Sequence, residues 1–112
     1  ARAAGRVGIG LSPDPLPEEG LFTRSDHYRF VEQGVPSVFL MTGFKNGGEK
    51  GFKDFLATHY HKPNDDLNQP INYQAGARFA LVNYEIAREL ADAPARPSWN
   101  KGDFFGTLFG KK

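Results

Sequence analysis

The chain has 112 residues, of which 39% are hydrophobic, and its 14 basic and 13 acidic residues leave a net charge of +1. This length fits one domain, or part of one, that buries about two-thirds of its unfolded surface. The balanced charge, without a basic block, argues against nucleic acid or an anionic membrane as a partner. The sequence has no cysteine, which excludes disulfides and thiolate metal ligands. No apolar run approaches the ~20 residues of a membrane span.

The first twenty residues predict little regular structure. Residues 1–5 fit the end of a helix, and residues 6–11 form a glycine-spaced apolar segment that predicts a short strand. Prolines at alternate positions over residues 13–17 exclude a helix there and predict an extended loop. Glu18 and Glu19 follow, and adjacent carboxylates before a glycine are more typical of a solvated loop end than of a metal site.

The next segment has the pattern of half a βαβ unit. Ser25 or Asp26 can cap a helix that runs to about Gln33, and Gly34 then ends it. Residues 35–41 are almost continuously apolar and bounded by glycines, which is typical of a strand buried on both faces of a parallel sheet. A short helix followed by a buried strand predicts the α/β fold class.

Two segments of opposite character come next along the chain, on either side of residues 59–66. Residues 42–56 contain four glycines and predict a mobile surface loop that lacks the spacing of a phosphate-binding loop. Residues 73–91 predict the best helix of the chain, with Asn72 as its N-cap. Its apolar stripe predicts packing on a sheet and consists of Phe79, Val82, Ile86 and Leu90.

Residues 59–66 bring two histidines, a tyrosine and two aspartates together around Pro63. Imidazole is the commonest protein ligand for transition metals, and a proline-stiffened loop can hold such a ring in one direction. A polar surface turn also explains the same residues, without any metal. The residue pattern by itself leaves both interpretations open.

The composition changes again at residue 94. Residues 94–112 predict a C-terminal tail in which Trp99, Phe104, Phe105 and Phe109 are set among glycines and lysines. Four exposed aromatic side chains would favour aggregation, so we expect the tail to dock on its own domain or on a neighbouring chain.

Two separated motifs resemble those of a known family. Arg24-Ser25-Asp26-His27-Tyr28-Arg29-Phe30, followed by Gly34-Val35-Pro36, is similar to its RSDH…F…G-[IV]-P segment, and Tyr60-His61-Lys62-Pro63-Asn64-Asp65 is similar to its YHxPxD segment. The family is that of the co-catalytic di-zinc aminopeptidases, family twenty-eight of the metallopeptidases. It includes glutamate carboxypeptidases and, as a close cousin, glutaminyl cyclase. The resemblance covers about residues 6–91 and implies a mixed sheet flanked by helices, with residues 1–93 as the C-terminal part of the catalytic domain.

The resemblance also implies a role for each matching residue. His61 is the last zinc ligand and serves one of two metals, near the C-terminal end of the buried strand. Tyr60 donates its hydroxyl to the tetrahedral intermediate, and Asp65 orders the loop that carries His61. The implied substrate-binding residues, facing the same cleft as His61, are Arg24, Asp26 and His27. Arg24 can alternatively pair with Asp26 or with the Glu18–Glu19 loop.

The implied function is that of a zinc-dependent exopeptidase, an aminopeptidase that hydrolyses N-terminal peptide bonds with a metal-activated water. A complete site would hold two zinc ions, of which this chain supplies only the ligand His61, so we expect the chain alone to be inactive. The alternatives are a glutaminyl-cyclase-like aminoacyltransferase, whose usual tryptophan is replaced here by Tyr60, and a metal-free binding or assembly module. The implied partners are a peptide substrate and the N-terminal part of the catalytic domain. The predicted strand at residues 35–41, left uncovered without the upstream strands, also predicts pairing with a second copy of the chain. The compartment stays open, with the periplasm or secretion as the expectation.

Overall fold

All regular structure among residues 1–110, which the computed structural model describes, is helical. The five α-helices are α1 (Arg2–Arg6), α2 (His27–Val31), α3 (Gly48–Thr58), α4 (Tyr73–Ala91) and α5 (Phe104–Phe109). Three short 3₁₀ turns cover Pro17–Glu19, Leu21–Arg24 and Lys45–Gly47. No strand occurs in this part of the chain, so the predicted α/β class with a mixed sheet is wrong for the described residues.

The predicted strand at residues 35–41 is irregular backbone, and its side chains are not buried as a central strand requires. Val35, Val38 and Phe39 are 46%, 59% and 39% exposed. A strand is held by hydrogen bonds to a neighbouring strand, and residues 1–110 offer no such neighbour. The shorter prediction at residues 6–11 fails in the same way, because Arg6 ends α1 and the rest has no regular structure. An apolar run indicates a preference for burial, but it does not supply a hydrogen-bonding partner.

Helix α3 lies largely where a mobile loop was predicted. It begins at Gly48 and continues to Thr58 in spite of its glycines. Ion pairs four residues apart, Glu49 with Lys53 at 2.6 Å and Lys50 with Asp54, support this helix from its exposed side. The glycines at the N-terminal end lower the helix propensity of this segment, and the ion pairs four residues apart offset that loss.

One compact unit consists of residues 1–15 with residues 42–91 and contains α1, α3 and α4. The predicted helix is confirmed over Tyr73–Ala91, and the Asn72 side-chain carbonyl accepts a 2.9 Å hydrogen bond from the backbone N–H of Ala75. Its predicted packing on a sheet is wrong for the described residues, since they contain no sheet, and of the predicted stripe Val82 is buried whereas Phe79 and Leu90 are exposed. Helices α1 and α4 contact each other, and the buried residues of this unit lie on these two helices: Ala3, Ala4 and Val82.

Arginines of α1 pair with glutamates of α4. Arg2 donates to Glu89 through Nε at 2.7 Å, and Arg6 lies 3.0 Å from Glu89 and 3.4 Å from Glu85. The hydrogen bond from Arg2, with the charges of Arg2 and Arg6, holds the pKa of Glu89 below its ordinary value against the opposing effect of burial. The short α1 is therefore attached to α4 by charge as well as by small apolar side chains.

The second compact unit consists of residues 16–41 with the segment that begins at Asp92, and it contains α2 and α5. Val31 of α2 is fully buried. Helix α5 begins after Asp103, whose carboxylate accepts a 3.0 Å hydrogen bond from the backbone N–H of Gly106. Lys111 and Lys112 of the predicted tail lie outside the described residues. The domain boundary predicted after residue 93 stays a prediction.

Of the helices in residues 1–110, none is both long enough and apolar enough to cross a membrane.

Candidate functional site

Tyr60 and His61 form a stacked pair directly after α3. The backbone N–H groups of His59 and Tyr60 both donate to the Phe55 carbonyl, at 2.9 and 3.0 Å, and close the last turn of the helix. His61 then adopts the left-handed conformation with φ of 56°, which few residues other than glycine occupy. Its ring lies against the ring of Tyr60 with 3.8 Å between centroids and 23° between planes. The reversal of the chain places both rings together at the helix end.

Side chains of the following residues attach this turn to α3. The Lys62 ammonium donates to the Ala57 carbonyl, and the Asn64 amide donates to the Thr58 carbonyl at 3.1 Å. Both carbonyls belong to the last turn of the helix, where the backbone has no intrahelical donors left. The end of helix α3 therefore sets the direction of the turn that carries His61. The predicted location of His61, near the C-terminal end of a strand, is not found in the described residues, which contain no strand.

The imidazole of His61 is exposed and makes no hydrogen bond within residues 1–110. His59, two residues earlier, differs in both respects: its Nδ1 lies 2.6 Å from the Thr58 hydroxyl, and its ring is stacked on Phe55. A neutral imidazole with a free nitrogen lone pair is able to bind a metal. Of the two histidines in this stretch, His61 is thus the one available to a ligand.

The predicted substrate-binding residues lie in the other unit. Arg24 donates to the Glu19 backbone carbonyl at 3.2 Å and lies 3.4 Å from the Glu19 carboxylate, which matches the predicted alternative of a pair with the Glu18–Glu19 loop. Asp26 is exposed and precedes α2 without a side-chain capping bond. His27 lies between Phe22 and Phe39, and its Nε2 is buried without a hydrogen-bond partner.

The chain brings the predicted site residues together in two groups. Tyr60, His61 and Asp65 belong to the unit of α3 and α4, and Arg24, Asp26 and His27 to the unit of α2 and α5. A single cleft shared by both groups stays a prediction.

The comparison that decides the family covers both motifs. The model of peptidase family M28 matches residues 1–87, which is well over half of the chain. The chain belongs to peptidase family M28. No curated protein and no solved structure matches it. Membership makes the chain part of a peptidase of the metallopeptidase class, and the family is generally zinc-dependent and acts on peptides.

The described residues of this M28 chain do not form a zinc centre by themselves. A catalytic zinc ion takes about three protein ligands, and residues 1–110 contain no cluster of three histidine, cysteine, aspartate or glutamate side chains. The carboxylates nearest to His61 in the sequence are turned to amides of their own loop. Asp65 accepts from the Gln69 amide at 2.6 Å, and Asp66 accepts from the Asn68 amide at 3.2 Å. His61 is therefore one donor without companions in this part of the chain.

Sequence reasoning missed four residues that shape the two groups. Lys62 and Asn64 anchor the His61 turn to the end of α3, and no sequence signal indicated this role because residues 42–56 were predicted as a loop. Phe22 and Phe39 enclose His27 from two segments of the chain. No local pattern predicts that contact, because it depends on how residues 35–41 fold back.

Proposed function

We propose that this chain is the C-terminal part of a zinc-dependent M28 exopeptidase, an aminopeptidase that removes N-terminal residues from peptides. The observation that supports it is the Tyr60–His61 pair, exposed and stacked at 3.8 Å on a turn that two side chains attach to α3. The His61 ring lies within the family match, contacts the Tyr60 ring and makes no hydrogen bond in residues 1–110, which leaves its nitrogens to a ligand.

In this proposal His61 supplies one metal ligand, and the remaining ligands come from residues outside this chain. Tyr60 lies beside it with a half-exposed ring whose hydroxyl makes no hydrogen bond among the described residues. That hydroxyl is free to donate to the oxygen of a substrate carbonyl as negative charge develops there. Asp65 keeps its bond to Gln69 and stabilises the turn without touching the metal.

Arg24, Asp26 and His27 are proposed to contact the substrate. The Arg24 side chain is 54% exposed, so part of its guanidinium remains open to a carboxylate although it pairs with Glu19. Arginine is suited to that task because its donors match the two oxygens of a carboxylate. Asp26 carries an exposed negative charge one residue before His27 and suits a positively charged amine.

A second candidate is a metal-free binding module that keeps the family's sequence motifs. The lack of a three-donor cluster in residues 1–110, and the engagement of Asp65 and Asp66 with their own loop, favour it. The exposed imidazole of His61, which makes no hydrogen bond in residues 1–110 and stands on a left-handed backbone, favours the peptidase, because backbone strain of this kind clusters at functional sites.

The test uses the protein that contains this chain together with the complete catalytic domain. We expect it to hydrolyse amino-acyl 4-nitroanilides and to contain zinc by mass spectrometry of metals. His61→Ala should remove turnover and reduce the zinc content, whereas the control His59→Asn, which retains a donor towards Thr58, should change neither.

Three results would contradict the proposal. A protein that contains no zinc and shows no turnover would support the binding module. Release of ammonia from glutaminyl peptides without nitroanilide hydrolysis would support the cyclase-like alternative. Equal zinc content in His61→Ala and the unchanged protein would show that His61 is not a ligand.

A further inference from the structure

The residues after α4 lie outside the family match, which ends at residue 87, yet part of this segment packs on the first motif. Phe105 of α5 stacks on Phe22 with centroids 5.1 Å apart and meets Tyr28 edge to face at 5.8 Å. Phe109, one turn later, meets the same Tyr28 at 6.4 Å. The tail is thus docked on its own chain, against residues that flank His27.

Only one face of α5 takes part in this contact. Phe105 and Phe109 are half-buried, whereas Phe104 and Leu108 are 71% and 59% exposed. Spacing of four residues places Phe105 and Phe109 on the same side of the helix. The helix therefore contacts the first motif by a defined face.

Trp99 fixes the start of the tail. Its indole N–H donates at 2.9 Å to the carbonyl of Gly34, in the turn that follows α2. Gly106 lies so close that a Cβ atom on it would be 2.5 Å from the Cβ of Trp99, far inside van der Waals contact. Glycine is therefore required at position 106 by the approach of the tryptophan.

The His27 ring lies against two phenylalanine rings. Its ring meets Phe22 edge to face at 4.6 Å and is stacked on Phe39 at 5.0 Å with 12° between planes. Its buried Nε2 has no hydrogen-bond partner that could hold the ring. Phe22 is the residue that touches both His27 and Phe105, so the tail contacts His27 through one side chain.

We propose that Trp99 and Phe105 are positioning residues: the C-terminal tail holds the His27 ring in place through Phe22. The claim that this arrangement serves peptide binding rests on the proposed function, in which His27 contacts the peptide. The docking of the tail and its effect on His27 do not depend on that function.

The first experiment observes the His27 ring directly. The chain has three histidines and one tryptophan, so imidazole NMR signals and tryptophan fluorescence can each be assigned to single residues. In Phe105→Leu the His27 signals should move towards those of an unstructured histidine, and the His59 and His61 signals should stay in place. Phe105→Tyr, which keeps the ring, should restore the original His27 signals.

Leu108→Ala is the control on the exposed face of the same helix, because Leu108 is 59% exposed, whereas the ring of Phe104 contacts Phe105 edge to face at 5.2 Å. It should leave the His27 signals unchanged. Gly106→Ala should displace Trp99, shift its emission to longer wavelength and move the His27 signals in the same direction as Phe105→Leu. Unchanged His27 signals in Phe105→Leu, or unstructured signals for His27 in the unchanged chain, would overturn the proposal.

The second experiment separates this inference from the proposed function. In the complete catalytic domain, Phe105→Leu should raise KM for peptide substrates several-fold while kcat stays close to that of the unchanged enzyme. Absence of turnover in the unchanged enzyme would refute the proposed function and leave the NMR result standing. Displaced His27 signals with an unchanged KM would refute the positioning role although the enzyme is active.

Discussion

Replacement of Tyr60 by phenylalanine removes one oxygen atom whose structural and catalytic contributions can be separated. The ring of Tyr60 stacks on His61 at 3.8 Å and contacts Phe55 at 5.8 Å, and both contacts survive in Tyr60→Phe. The hydroxyl makes no hydrogen bond within residues 1–110, and the residue is 38% exposed. We therefore expect the free energy of unfolding to change by less than about 0.5 kcal/mol.

The catalytic effect of the same change should be far larger. Loss of one donor to a developing oxyanion lowers kcat by about 10²–10³, which corresponds to roughly 3–4 kcal/mol of activation free energy. KM should stay close to that of the unchanged enzyme, because the hydrogen bond forms fully only in the transition state.

The assay is steady-state hydrolysis of an amino-acyl 4-nitroanilide by the complete catalytic domain, paired with denaturant unfolding of each variant. Tyr84→Phe on α4 is the control, since it removes the same atom from a residue that is 59% exposed. A kcat for Tyr60→Phe within a factor of a few of the unchanged enzyme would assign Tyr60 to packing. A loss of unfolding free energy in Tyr60→Phe as large as the loss of transition-state stabilisation would show that the hydroxyl is a structural group.

Three further predictions concern helix α4 and its contact with α1. Glu89→Gln should reduce the loss of stability in acid. Because the pKa of Glu89 is lowered in the folded chain, its carboxylate stabilises the fold above the ordinary glutamate pKa, and this stabilisation is lost as the pH falls through the lowered pKa. Free energies of unfolding measured from pH 7 to pH 3 test this prediction. Val82→Ala should destabilise the unit that contains α1 and α4 by about 1–2.5 kcal/mol, because Val82 is only 4% exposed. The control Leu81→Ala, at a position that is 46% exposed, should destabilise it less, and denaturant midpoints measure both effects. Asn72→Ala should cost about 1 kcal/mol through the lost hydrogen bond to the Ala75 N–H, seen as a lower midpoint in thermal unfolding monitored by circular dichroism.

Helix α4 was predictable because every signal for it is local. An apolar side chain recurs every three to four residues, and Asn72 precedes the first turn as a cap. Residues 35–41 carry an equally clear apolar pattern, but the strand predicted from it needed a partner, and a partner is a property of the whole chain. Helix α3 was missed because its glycines outweighed the charge pairs that stabilise it.

The candidate site was predictable as a set of residue types and only partly as a geometry. The motifs named Tyr60 and His61, and the structure shows them stacked and exposed. The side chains that hold the turn, Lys62 and Asn64, reach back five and six residues to carbonyls of α3, and their role depends on where that helix ends. The docking of Phe105 on Phe22 joins residues more than eighty positions apart, so no local pattern could have indicated it.

The left-handed backbone of His61 sets stability and activity against each other at one position. A residue with a Cβ atom at φ of 56° costs about 1 kcal/mol relative to glycine, and His61 makes no hydrogen bond in residues 1–110 that offsets this cost. A library of variants at this position, selected for resistance to heat or protease alone, would therefore enrich glycine and asparagine. The same library selected for peptide hydrolysis would retain histidine, and the divergence of the two selections would measure how much stability the turn gives up for its imidazole.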